Sequence, residues 1–71
     1  MKNLLLITLG KRIKENRLKR NLSQEDLAAK ANMHRTYIGM VERGEKNITI
    51  SNLKKISDAL EIDISVLTKN L

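Results

Sequence analysis

A chain of 71 residues with one aromatic residue, one histidine, no proline and no cysteine is expected to form one small domain with a marginal core. The missing cysteines exclude disulfides, thiolate zinc sites and a cysteine nucleophile, and they fit a reducing cytoplasm. Lys and Arg outnumber Asp and Glu by 14 to 8, and the whole excess lies in residues 1–46, where eleven basic side chains face five acidic ones.

Residues 47–71 carry three of each sign. A basic segment joined to a neutral, apolar tail suits a polyanion on one face and packing or dimerisation on another. A basic, solvated surface without a partner is the plainer reading of the same charges.

Met1-Lys2-Asn3 before the run Leu4-Leu5-Leu6-Ile7-Thr8-Leu9 resembles the start of a signal peptide. The run is too short for a secretory segment, which needs about 7–15 apolar residues, or for a membrane span of about 20. It is expected to pack on the domain or on a partner subunit. Leu9, Ile13 and Arg17 share one stripe of a first helix over about residues 9–20, with Lys11, Arg12, Lys14, Lys19 and Arg20 on its solvated flanks, and Asn21 ends it.

Ser23 is a good N-cap for a second helix reaching about Ala31, and Asp26 stands where a capping box needs its carboxylate. Leu27, Ala28 and Ala31 face inward, and Asn32 suits a left-handed C-cap. A third helix, about residues 34–43, stops at Gly44. Thr49 can cap a fourth that carries Leu53, Ile56 and Leu60, and Asp63 a short fifth that carries Val66 and Leu67. The fold class is all-α: a compact domain of five short helices over residues 1–71.

Arg17 and Glu42 both fall on inward stripes. Two charges inside so small a core are tolerable only when paired, so an Arg17–Glu42 bridge is expected. The second and third helices, at about residues 23–43 of a basic domain, have helix-turn-helix proportions. With Ile38 and Val41 inside, Arg35, Thr36, Gly39, Met40 and Arg43 share the outward side.

Arg35 can reach O6 and N7 of a guanine, and Thr36 a thymine methyl or a base edge. Gly39 permits close approach of backbone to DNA or is merely tolerated. Met40 is an apolar groove contact or an exposed filler. Ser23 at the open helix N-terminus and Tyr37 are candidates for the DNA backbone, and Arg43, Lys46 and Asn47 can meet the backbone or a central base. Tyr37 could instead pack between helices, and Lys46 could lie in a solvated loop. His34 opens the third helix, where phosphate would favour its charged form.

The run Ser23-Gln24-Glu25-Asp26-Leu27-Ala28, then Asn32, Ile38 and Val41-Glu42-Arg43-Gly44, resembles the helix-turn-helix family of phage repressors and Cro, over about residues 9–67. His34-Arg35-Thr36-Tyr37-Ile38 and Glu42-Arg43 through Asn47-Ile48-Thr49-Ile50 look most like the controller proteins of restriction–modification systems. The resemblance implies the lambda-repressor-like fold, the same Arg17–Glu42 bridge, and a phosphate or neighbouring contact for Gln24.

It also implies a regulator of its own and the endonuclease gene, activating at low occupancy and repressing at high. Activation needs an RNA polymerase contact, and Glu25 and Asp26 are candidates for a basic sigma-factor surface, with helix capping as their alternative role. One recognition helix reads too few base pairs for useful specificity. Ile62, Ile64, Val66, Leu67 and Leu71, within residues 60–71, are therefore expected to form a homodimer interface that sets two such helices on a palindromic operator.

The rival reading is a phage or toxin–antitoxin repressor whose apolar termini bind another polypeptide. RNA binding is disfavoured by the shortage of aromatics for base stacking. No enzyme activity, cofactor, metal or membrane association is expected.

Overall fold

The computed structural model describes residues 3–71; Met1 and Lys2, the opening of the signal-like stretch, lie outside the described residues. Five helices follow in order: α1 (Leu4–Lys19), α2 (Gln24–Ala31), α3 (Arg35–Glu42), α4 (Ile50–Ala59) and α5 (Ile64–Thr68). No strand occurs among the described residues, and no helix is long and apolar enough to cross a membrane.

Side chains and left-handed residues close most helix ends. Ser23 Oγ accepts the Asp26 N–H at 2.9 Å and Asp26 Oδ2 accepts the Ser23 N–H at 2.9 Å, a complete capping box for α2. Asn32 ends that helix at φ 57°, and the Met33 N–H returns to the Ala28 carbonyl at 2.8 Å. Asn21 at φ 57° closes α1, and Thr49 Oγ1 caps α4 by accepting the Asn52 N–H at 3.1 Å.

Two ends differ from the sequence reading. The first helix begins about a turn earlier than expected, because Asn3 Oδ1 accepts the N–H groups of Leu5 and Leu6 at 3.0 and 3.3 Å. Asp63 occupies the N-cap position of α5 without a side-chain capping bond.

Ile13, Leu27, Ile38, Ile56, Leu60 and Leu67 are completely buried where the five helices meet. Each such side chain contributes about 1.5–3 kcal/mol through removal from water. Leu67 is therefore core, which corrects its assignment to a dimer interface. A helix of five residues has one inward turn, and Leu67 fills it against the core.

Arg12 also departs from the solvated flank assigned to it. Half-buried, it donates through Nη1 to the carbonyl of Leu67 at 3.2 Å and to that of Lys69, closing the open end of α5 from α1.

Close passage of α1 over the end of α3 depends on two glycines. A β-carbon on Gly10 would lie 2.5 Å from the carbonyl oxygens of both Val41 and Glu42. Gly44, at φ 72°, lies so near Ile7 that a β-carbon there would come within 2.8 Å of its side chain. The first half of α1 thus braces the end of α3.

Candidate nucleic-acid interface

A left-handed turn at Asn32 and a short extended stretch swing the chain from α2 into α3. Ile38 and Val41 anchor α3 from below, while Arg35 and Thr36 in its first turn are exposed. Free N–H groups at that end, with Arg35 beside them, make it electropositive. His34 stands at the N-cap position, exposed and without a side-chain capping bond, so its imidazole does not close the helix end.

The end of α3 is locked from inside. Arg17 meets Glu42 through two parallel bonds, Nε to Oε2 at 2.7 Å and Nη2 to Oε1 at 3.0 Å, with side chains 8% and 2% exposed. The third nitrogen of Arg17 donates to the Leu22 carbonyl at 2.8 Å. Glu42 Oε1 also accepts from Gln24 Nε2 at 3.1 Å, so Gln24 is tied to the core pair and does not hang free at the surface. One network therefore joins α1, the turn before α2, the first residue of α2 and the last residue of α3. Such fork-to-fork geometry is strong and directional.

Gln24, Arg35, Thr36, Gly39 and Arg43 line a depression of about 200 Å³ between α2 and α3. Gly39 lies on the outward side but is buried, so its backbone is not open as the sequence reading allowed. Arg43 and Gln24 cover it: a β-carbon at residue 39 would lie 3.2 Å from Arg43 Nη1 and 3.6 Å from Gln24 Oε1. Arg43 also donates from Nε to Glu45 Oε2 at 2.9 Å. That bond lowers the Glu45 carboxyl below, and raises the Arg43 guanidinium above, its ordinary value.

Met40 is half-buried, while Lys46 and Asn47 are exposed beyond the helix. Tyr37 packs against the core, and its hydroxyl accepts a bond from Asn52 Nδ2 at 3.1 Å. The packing role considered for Tyr37 is thus present, and the phenolic proton stays available to an acceptor. Asn52, which orients that hydroxyl, was missed by sequence reasoning. The signal available was its position three residues after the cap Thr49.

Of the acidic pair on α2, Glu25 is exposed, while Asp26 is engaged in the capping box. The Ser23 N–H and hydroxyl hold the Asp26 carboxyl below its usual range. Among the C-terminal apolar residues, Ile62 and Ile64 lean half-buried on the core, while Val66 and Leu71 stay 46% and 45% exposed. Leu71 joins Leu4, Leu5, Thr8 and Asn70 around an apolar notch of about 300 Å³. No group of three or more His, Cys, Asp or Glu among the described residues could hold a metal ion.

A short turn between two packed helices, with the second presenting Arg35 and Thr36 outward, defines a helix-turn-helix protein, and residues 13–67 match that family; the chain belongs to it. Within the family it is similar to restriction–modification controller proteins. It is 43% identical over 63 residues to the control protein C.BamHI of Bacillus amyloliquefaciens, spanning 87% of this chain and 78% of the relative.

The solved structure of the controller protein C.AhdI from Aeromonas hydrophila superposes with a TM-score of 0.86 at 40% identity, over 87% of this chain and 94% of the other. The controller C.Esp1396I, solved as a tetramer in complex with its natural 35 base-pair operator, gives a TM-score of 0.87 at 40% identity, over 94% and 88% of the two chains.

Proposed function

We propose that this protein is a sequence-specific regulator of transcription that binds double-stranded DNA, controls its own gene within a restriction–modification system in the cytoplasm, and carries no catalytic activity. The observation that carries the reading is the exposure of Arg35 and Thr36 on a helix whose other face is buried and whose end is pinned by Arg17 and Glu42. A rigid helix placed in the major groove keeps its side chains in register with base edges.

Arg35 would take a guanine edge, and Thr36 and Met40 would meet a base edge or a thymine methyl. Ser23, Gln24, His34, Tyr37, Lys46 and Asn47 would engage the DNA backbone around them, and Arg43, seated over Gly39, would meet the backbone or a central base.

Val66 and Leu71, with the half-buried Ile62 and Ile64, would supply the apolar surface for a two-fold homodimer, and Leu4 and Leu5 extend that surface from Leu71 across the notch. Such a dimer would set the two α3 helices about 34 Å apart, one turn of DNA, on a palindromic operator. Activation would use Glu25 against a basic sigma-factor surface, with Asp26 contributing only what the cap leaves free. A Glu25→Lys variant should bind DNA normally and fail to activate; normal activation would remove the polymerase contact.

Selection from a pool of random duplexes tests the whole reading. It should return an inverted repeat whose half-sites lie about 10 base pairs apart. Binding that makes about 6–10 phosphate contacts should weaken by about 10³–10⁵ between 50 and 200 mM salt. A pool without an enriched sequence would exclude a sequence-specific regulator.

A further inference from the structure

Arg43 stands one turn after Gly39, so helix geometry leans its side chain back over that residue, and a partner beyond the helix end then holds it there. Its guanidinium folds back over Gly39, with Nη1 3.2 Å from where a β-carbon of that residue would be. Nε is taken by Glu45 Oε2 at 2.9 Å. Neither terminal nitrogen has a protein acceptor among the described residues, and both belong to the side chain that lines the depression with Arg35 and Thr36.

An acidic residue beside a DNA-binding surface is unfavourable for phosphate by simple Coulomb repulsion. Its presence needs a compensating role. Here the carboxylate holds one edge of a guanidinium and leaves free the edge whose two donors match O6 and N7 of a guanine.

We infer that Glu45 is a specificity-determining positioning residue: it holds Arg43 across the bare backbone of Gly39, turning what would be a phosphate clamp into a second base reader beside Arg35. This rests on the DNA-binding reading above. Without the tether, the long Arg43 side chain would regain its rotamers and pair with whichever phosphate is nearest, which raises affinity for any duplex and lowers discrimination.

The experiment compares the affinity of the full-length protein for its selected duplex and for a scrambled duplex of equal length, at fixed salt. Glu45→Ala should lower the ratio by about tenfold, the loss expected for one misplaced base contact. Glu45→Gln, which keeps an acceptor oxygen and removes the charge, should retain most of the discrimination while binding both duplexes more tightly. Arg43→Ala should lower the ratio as Glu45→Ala does, and adding Glu45→Ala to it should lower the ratio no further.

A ratio that is unchanged in Glu45→Ala, with both duplexes bound more tightly, would make Glu45 a source of general repulsion and overturn the inference. So would a loss of discrimination that persists undiminished in the Arg43→Ala background. Wild-type protein that fails to distinguish the duplexes would overturn the regulator reading itself and this inference with it. Melting curves of each variant separate these results from unfolding, since Glu45 and Arg43 are both exposed.

Discussion

Glu42→Ala removes the acceptor for three donors at once: Arg17 Nε at 2.7 Å, Arg17 Nη2 at 3.0 Å and Gln24 Nε2 at 3.1 Å. Arg17 is then left charged in a site where its side chain is only 8% exposed, with the Leu22 carbonyl as its remaining partner. Breaking a buried pair from one side costs about 3–5 kcal/mol, and the retained carbonyl bond places this case near 3. At about 0.05–0.15 kcal/mol per residue, a domain of this size has roughly 4–11 kcal/mol in total. A loss of about 3 kcal/mol should lower the melting midpoint by about 12–24 °C.

Thermal unfolding followed by circular dichroism reads this directly. Replacing the pair together, as Arg17→Met with Glu42→Leu, should recover most of the loss, because the unpaired charge is gone. A midpoint for Glu42→Ala within about 4 °C of the parent, less than 1 kcal/mol, would refute the idea that the pair is buried and interdependent.

Other substitutions probe the packing and the charges. Gly10→Ala would force a methyl group against the Val41 and Glu42 carbonyls, so stability should fall by about 1–3 kcal/mol despite the better helix propensity of alanine; an equal or higher midpoint would mean that α1 can move off α3. The Asp26 carboxyl is held below its ordinary value by Ser23, so its share of stability is present at neutral pH. That share is lost as pH falls below about 4 and through the lowered folded value. Melting midpoints between pH 6 and 3 should therefore fall more steeply for the wild type than for Asp26→Asn, and equal slopes would contradict this. Val66→Glu should shift sedimentation from dimer toward monomer while leaving the melting midpoint of the monomer nearly unchanged; an unaltered dimer would place the interface elsewhere.

Much of the fold was legible because its determinants are local. The Ser23–Asp26 box, the left-handed Asn32 and the left-handed Gly44 each need only neighbouring residues, and they set the bounds of the two central helices. Arg17 and Glu42 were legible for a different reason: helical periodicity placed both charges inward, and only pairing makes that tolerable.

What sequence reasoning missed depends on distant contacts or on ambiguous periodicity. The consecutive apolar residues from Leu4 carry no helical period, so the start of α1 rested on the Asn3 cap alone. The single turn of α5 could not reveal that Leu67 faces the core while Val66 faces solvent. Arg12 reaches α5 across 55 residues of sequence. The seat of Arg43 over Gly39 follows the i, i+4 period, but the bond to Glu45 that holds it joins two exposed side chains beyond the helix end, a relation without a sequence period.

The measurement that bears most directly on the outward face of α3 is discrimination between the selected and scrambled duplexes by Arg35→Ala and Lys46→Ala, across a salt series. Arg35→Ala should lose about 1–3 kcal/mol of discrimination, roughly 5- to 150-fold. Lys46→Ala should weaken both duplexes alike and reduce the salt slope by about 0.9. Equal losses on both duplexes in the two variants would mean that Arg35 is a phosphate contact like any other and that α3 does not read bases.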